Sequence, residues 1–112
     1  MKVQTQPEGQ VTVVNPHGPL VVDDLADLRR ALETTPGGPA RRVVIDMADV
    51  PYVDSGGIEM LLEMCGAHLP PHQRPKLAAL TETCREALDL TDVLPRLDVF
   101  DTVENALRSC QR

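Results

Sequence analysis

Val43-Val44-Ile45-Asp46-Met47-Ala48-Asp49-Val50-Pro51-Tyr52-Val53-Asp54-Ser55-Gly56-Gly57-Ile58 decides how this chain folds. It opens with an apolar run short enough for a buried strand and passes through a polar turn containing a proline. It closes on a small Asp-Ser-Gly-Gly step. The residues that follow place Ile58, Leu61, Leu62 and Cys65 at i, i+3, i+4 and i+7, one face of an amphipathic helix. A strand therefore feeds a loop that carries Ser55 to a helix N-terminus. The first N–H groups there lack intrahelical partners, and the dipole favours negative charge. A serine hydroxyl in that place either caps the helix or accepts a phosphoryl group.

Working outward, Val3–Thr5 and Val11–Val14 read as two strands joined by a turn at Pro7-Glu8-Gly9. Asn15-Pro16-His17-Gly18-Pro19 reads as a break. Asp23 and Asp24 open a helix striped by Leu25, Leu28 and Leu32, with Arg29 and Arg30 toward its end. Thr34-Thr35-Pro36-Gly37-Gly38-Pro39 stops that helix. After the central strand and helix comes a proline-rich connection, then Lys76–Leu80, whose length and flanking breakers favour a strand. Thr83-Cys84-Arg85-Glu86 has capping-box spacing, with Thr81 as a competing cap. A last strand falls at Leu97–Phe100, and Asp101-Thr102-Val103-Glu104 starts a helix lined by Val103, Ala106, Leu107 and Cys110. The order β-β-α-β-α-β-α-β-α points to an α/β fold with a mixed sheet of four to five strands and about four helices, all within a single domain spanning residues 1–112.

Composition excludes several functions. Tyr52 and Phe100 are the only aromatic residues, 2% of the chain, so stacking platforms for single-stranded nucleic acid are missing. A net charge of −6 repels phosphate backbones. Cys65, Cys84 and Cys110 form no CxxC pair, and Cys65 and Cys110 lie on apolar faces, as buried reduced thiols do. No apolar run approaches the roughly 20 residues of a membrane span, and the N-terminus lacks an apolar signal-peptide core. A cytoplasmic protein is expected.

An apolar strand, an Asp, then Asp-Ser-x-Gly, an apolar residue and a helix resembles the STAS domain, the fold of bacterial anti-sigma-factor antagonists. The resemblance runs from Val11 to the last helix. It includes the Gly18-x-Leu20 step, the Leu25–Leu32 helix and the Leu88-x-Leu90-Thr91 region. It implies that Ser55 is the residue phosphorylated by a partner that is both anti-sigma factor and serine kinase of the histidine-kinase-like ATPase type. It also implies a partner surface made by Asp54, Ser55, Gly56, Gly57, Ile58 and Glu59, free when Ser55 is unmodified and blocked when it is phosphorylated. The chain departs from the family pattern at three places. Gly56 replaces a second hydroxyl residue, Glu59 replaces a small one, and Gly18-Pro19-Leu20-Val21 replaces Gly-Glu-Leu-Asp. These departures support a rival, a constitutive STAS adaptor or structural subunit working without phosphorylation.

Other chemistries find little support. Asp46, Asp49 and Asp54 lack the regular ligand spacing of an EF-hand loop. His68 and His72 are separated by Pro70 and Pro71, which prevent a helical ligand pair. Val-Asp-Ser-Gly-Gly around Ser55 is not a G-x-S-x-G nucleophile elbow, and no glycine motif cradles a phosphate. A non-enzymatic interaction module without metal or cofactor is expected. Met60 and Met64 fall at the margin of the apolar face set by Ile58, Leu61, Leu62 and Cys65, where either core filling or an interface suits them.

Overall fold

The computed structural model describes residues 1–34 and 42–110. Five strands, β1 (Lys2–Glu8), β2 (Val11–His17), β3 (Arg42–Asp46), β4 (Lys76–Ala78) and β5 (Val99–Phe100), form one sheet in that spatial order. β1 and β2 are an antiparallel hairpin turned at Gly9, whose φ of +67° suits glycine. The β2–β3, β3–β4 and β4–β5 pairs are parallel. Four helices, α1 (Leu25–Glu33), α2 (Ser55–Cys65), α3 (Glu82–Leu90) and α4 (Val103–Ser109), complete the predicted mixed α/β order.

Strand alternation divides the apolar residues between two cores, because successive side chains leave opposite faces of a sheet. Val14, Ile45 and Leu77 bury themselves with Leu28 of α1, Met60, Leu61 and Cys65 of α2, and Cys84 and Leu88 of α3. Val11, Val44 and Ala78 point the other way, onto Ala106 of α4 and Cys110 just beyond its end. With almost no aromatic rings, both cores are close-packed aliphatic and sulfur layers.

The sequence reading misplaces several boundaries. Asn15–His17 do not break the chain but continue β2, paired with Lys2–Gln4. Pro16 is allowed there because it lies beyond the last β2–β3 pair, Val14 with Ile45, so its missing N–H removes no bond on that side. Asn15 Nδ2 instead donates to the Asp46 carbonyl at 3.1 Å and holds the two strand ends together. Pro7 falls inside the edge strand β1 rather than in the turn. Thr81, not Thr83, caps α3 by accepting from the Cys84 N–H, and Thr102 caps α4 by accepting from Asn105. The buried face of α2 is Gly57, Met60, Leu61 and Cys65, so Met60 is core, while Ile58 and Leu62 lie at the margin. Leu90 ends α3 and is 77% exposed. Of the expected loop after α1, Thr35–Pro39 lie outside the described residues.

Candidate functional site

The Asp54–Glu59 segment lies at the end of the sheet where β2 and β3 finish. Its position is fixed by a second stretch of chain. Gly18, at φ +128°, turns the chain out of β2, and its N–H donates to the Asp49 carbonyl at 3.1 Å. The Leu20 N–H then donates to Tyr52 at 3.0 Å, and the Asp54 N–H donates back to Leu20 at 3.1 Å. Residues 18–20 thus run alongside 49–54 as an extra parallel bridge, Leu20 beside Val53. From the other side, the Val50 carbonyl accepts both the Thr81 hydroxyl at 3.0 Å and the Cys84 thiol at 3.3 Å.

Asp54, not Ser55, caps α2. Its Oδ1 accepts from the Gly57 N–H at 2.9 Å and its Oδ2 from the Val22 N–H at 3.1 Å. These donors hold the Asp54 carboxyl below the usual range: the Gly57 N–H contributes most, then Val22, with burial opposing. Gly57 is required by contact. A Cβ there would stand 2.2 Å from the Leu20 carbonyl oxygen, a backbone atom that cannot swing aside. At Gly56 a Cβ would meet the Val22 side chain at 3.1 Å, a softer obstacle.

Ser55 is the first residue of α2 and exposed, and among the described residues its hydroxyl has no hydrogen-bond partner. The capping role open to it on sequence grounds is therefore taken by its neighbour. Of the other expected contact residues, Glu59 is exposed, Asp54, Gly56 and Ile58 are half-buried, and Gly57 is buried beneath Leu20. The sequence reading missed Val22 and Tyr52, which stand 66% and 49% exposed beside this segment. An apolar residue directly before the Asp23-Asp24 helix start was the available signal for Val22. Asp23, Asp49 and Glu59, all exposed, give this end an acidic rim around its apolar residues.

Among the described residues no group of three or more His, Cys, Asp or Glu side chains comes together to hold a metal. Asp46 shapes its turn by accepting from the Ala48 N–H at 3.0 Å. His68 and His72 are exposed. All three cysteines are buried and free. Burial pushes the Cys65 thiol up to about 12, with the charge of Asp98 adding to it. Among the described residues no helix is long and apolar enough to cross a membrane.

The family model for the STAS domain matches residues 2–106. An anti-sigma factor antagonist from Mycobacterium paratuberculosis superposes with a TM-score of 0.79 at 20% identity, over 99% of this chain and 94% of that one. The murine Slc26a9 anion transporter gives 0.75 at 19% identity, over 95% of this chain and 18% of that one. The anti-sigma factor antagonist SpoIIAA in its unphosphorylated form gives 0.62 at 14% identity, over 96% of each chain. At these identities the likeness establishes the fold. No curated protein matches the chain.

Proposed function

The chain belongs to the STAS domain family, and from that premise we propose that it is a non-enzymatic bacterial regulatory protein, an anti-sigma-factor antagonist whose partner binding is switched by phosphorylation of Ser55. The proposal includes a cytoplasmic location, a single domain, and a partner that is an anti-sigma factor and serine kinase of the histidine-kinase-like ATPase type. One observation carries it: an exposed Ser55 hydroxyl at the first residue of α2, free of the capping duty that Asp54 performs. A phosphoryl group on Ser55 adds about −1.5 to −2 charges. The Gly57 and Val22 N–H groups that could neutralise it already serve Asp54. The added charge would face outward, beside Glu59 and Asp23, into any surface docked on Val22, Ile58 and Ser55. Desolvating it there would weaken the complex.

The same acidic surroundings favour a second reading, a constitutive adaptor, since Asp54 and Glu59 make the first turn of α2 a poor place for more negative charge. One experiment separates the two. A partner captured with wild-type bait is purified, and its affinity is measured for wild type, Ser55→Ala, Ser55→Asp and protein phosphorylated at Ser55. The switch predicts near-equal affinity for wild type and Ser55→Ala. It predicts a loss of about tenfold or more, ~1.4 kcal/mol, for the two charged forms. Equal binding by all four forms would establish the adaptor.

A further inference from the structure

The opposite end of the sheet has a different character. There β3 and β4 begin, at Arg42 and Lys76, while α1 and α2 end. Between them lies a cavity of about 490 Å³, within the range of roughly 300–1,000 Å³ that small-molecule sites occupy. Leu32, Val43 and Met64 give it an apolar wall, and Arg42, Arg74 and Lys76 a basic one. Among the described residues of its lining Glu33 is the single carboxylate, in a protein whose net charge is −6.

Arg74 and Lys76 differ in how their charge is met. Arg74 pairs with Asp98 at 3.6 Å and donates to the Leu69 carbonyl at 2.9 Å and the Ala67 carbonyl at 3.2 Å. Lys76 is half-buried. Its ammonium donates to Ser109 Oγ at 2.7 Å and lies 5.5 Å from the centre of the Phe100 ring. Among the described residues it has no carboxylate partner within ion-pair distance. A hydroxyl and a ring face compensate only part of the cost of withdrawing an ammonium from water. Lys76 is therefore a half-buried residue whose cation, without a carboxylate partner among the described residues, stands at the edge of a space large enough for a ligand.

We propose that this cavity binds a small amphiphilic organic anion, a carboxylate on an aliphatic body. The head group would accept from Lys76, and the body would lie against Leu32, Val43 and Met64. The site is separate from Ser55 and stands whether or not Ser55 is phosphorylated.

Isotope-labelled protein titrated with octanoate, and separately with 1-octanol and inorganic phosphate, tests the two halves of this recognition. Octanoate should bind saturably and move the backbone amide resonances of Val43, Met64 and Lys76. The neutral alcohol and the phosphate, each lacking one half, should bind about tenfold more weakly or worse. Lys76→Gln should weaken octanoate about tenfold, while Arg85→Gln, at an exposed ion pair with Asp101, should not. If Lys76→Gln does not fold, the wild-type shift map and the comparison of the three probes decide. Absence of saturable octanoate binding, equal binding of octanol, a shift map centred elsewhere, or a folded Lys76→Gln protein with unchanged affinity would each overturn the proposal.

Discussion

Helix α2 begins with one nucleophilic side chain and ends with another, and the fold treats them in opposite ways. Ser55 occupies the first position, exposed, with a hydroxyl that serves no structural bond among the described residues. Cys65 occupies the last, fully buried against the sheet, its thiol pushed up to about 12. Intrinsic reactivity ranks the two the other way, since a free thiol ionises near pH 8.5 and a serine hydroxyl does not ionise in that range. Placement has reversed the order. The residue chemistry would choose is sealed, and the one it would pass over is presented.

The contrast can be broken most sharply at Cys65. With its thiol pushed up to about 12, Cys65 holds almost no thiolate at pH 8. Iodoacetamide labelling followed by peptide mass spectrometry should show Cys65 protected in native buffer and modified in urea. Rapid native labelling would remove the distinction between the two ends. Next in size is Gly57→Ala, where the new Cβ meets the Leu20 carbonyl; loss of stability by about 2 kcal/mol in urea denaturation is expected after the helix-propensity gain is subtracted.

Asp54→Ala should cost less than Gly57→Ala but lower the urea midpoint clearly, since two backbone donors lose their acceptor. Its effect also has a pH signature. The folded-state pKa of Asp54 is depressed, so its contribution is complete above the ordinary carboxylate pKa, near 4. It fades as pH falls through the depressed value. Wild type and variant should therefore differ fully at neutral pH and converge in acid. Smallest of all is Ser55→Ala, expected within about 0.5 kcal/mol of wild type. A larger loss would mean that the hydroxyl carries structure after all.

Some of this arrangement was legible in the residues. The apolar run Val43-Val44-Ile45, giving way to Asp and Gly steps, announced a strand and a helix start, and the order of elements followed. What stayed hidden depends on contacts distant in sequence. Asp54 and Ser55 are both good caps by type, and the fold gives the position to Asp54, whose Oδ1 accepts from the Gly57 N–H while the Val22 N–H, brought in from another segment, holds its second oxygen. The Gly56-Gly57 pair looks like flexibility in a sequence, whereas Gly57 is there because the Leu20 backbone crosses it. Met60 and Ile58 differ by half a turn in burial because the helix is rotated to pack on Ile45 and Leu77, an angle no single amphipathic pattern defines. Pro16 sits inside a strand because its neighbour β3 has already left the ladder.

The double grip of the Asp54 carboxylate, together with the Leu20–Val53 bridge, has a consequence for any enzyme that modifies Ser55. Kinases that read linear motifs draw their substrates through the cleft as extended chain, and here that would require unwinding a capped turn and peeling away residues 18–22. An enzyme meeting Ser55 in this fold must recognise a shape rather than a string. A synthetic peptide carrying Asp54 to Glu59 would then be a poor substrate, however faithfully it copied the letters.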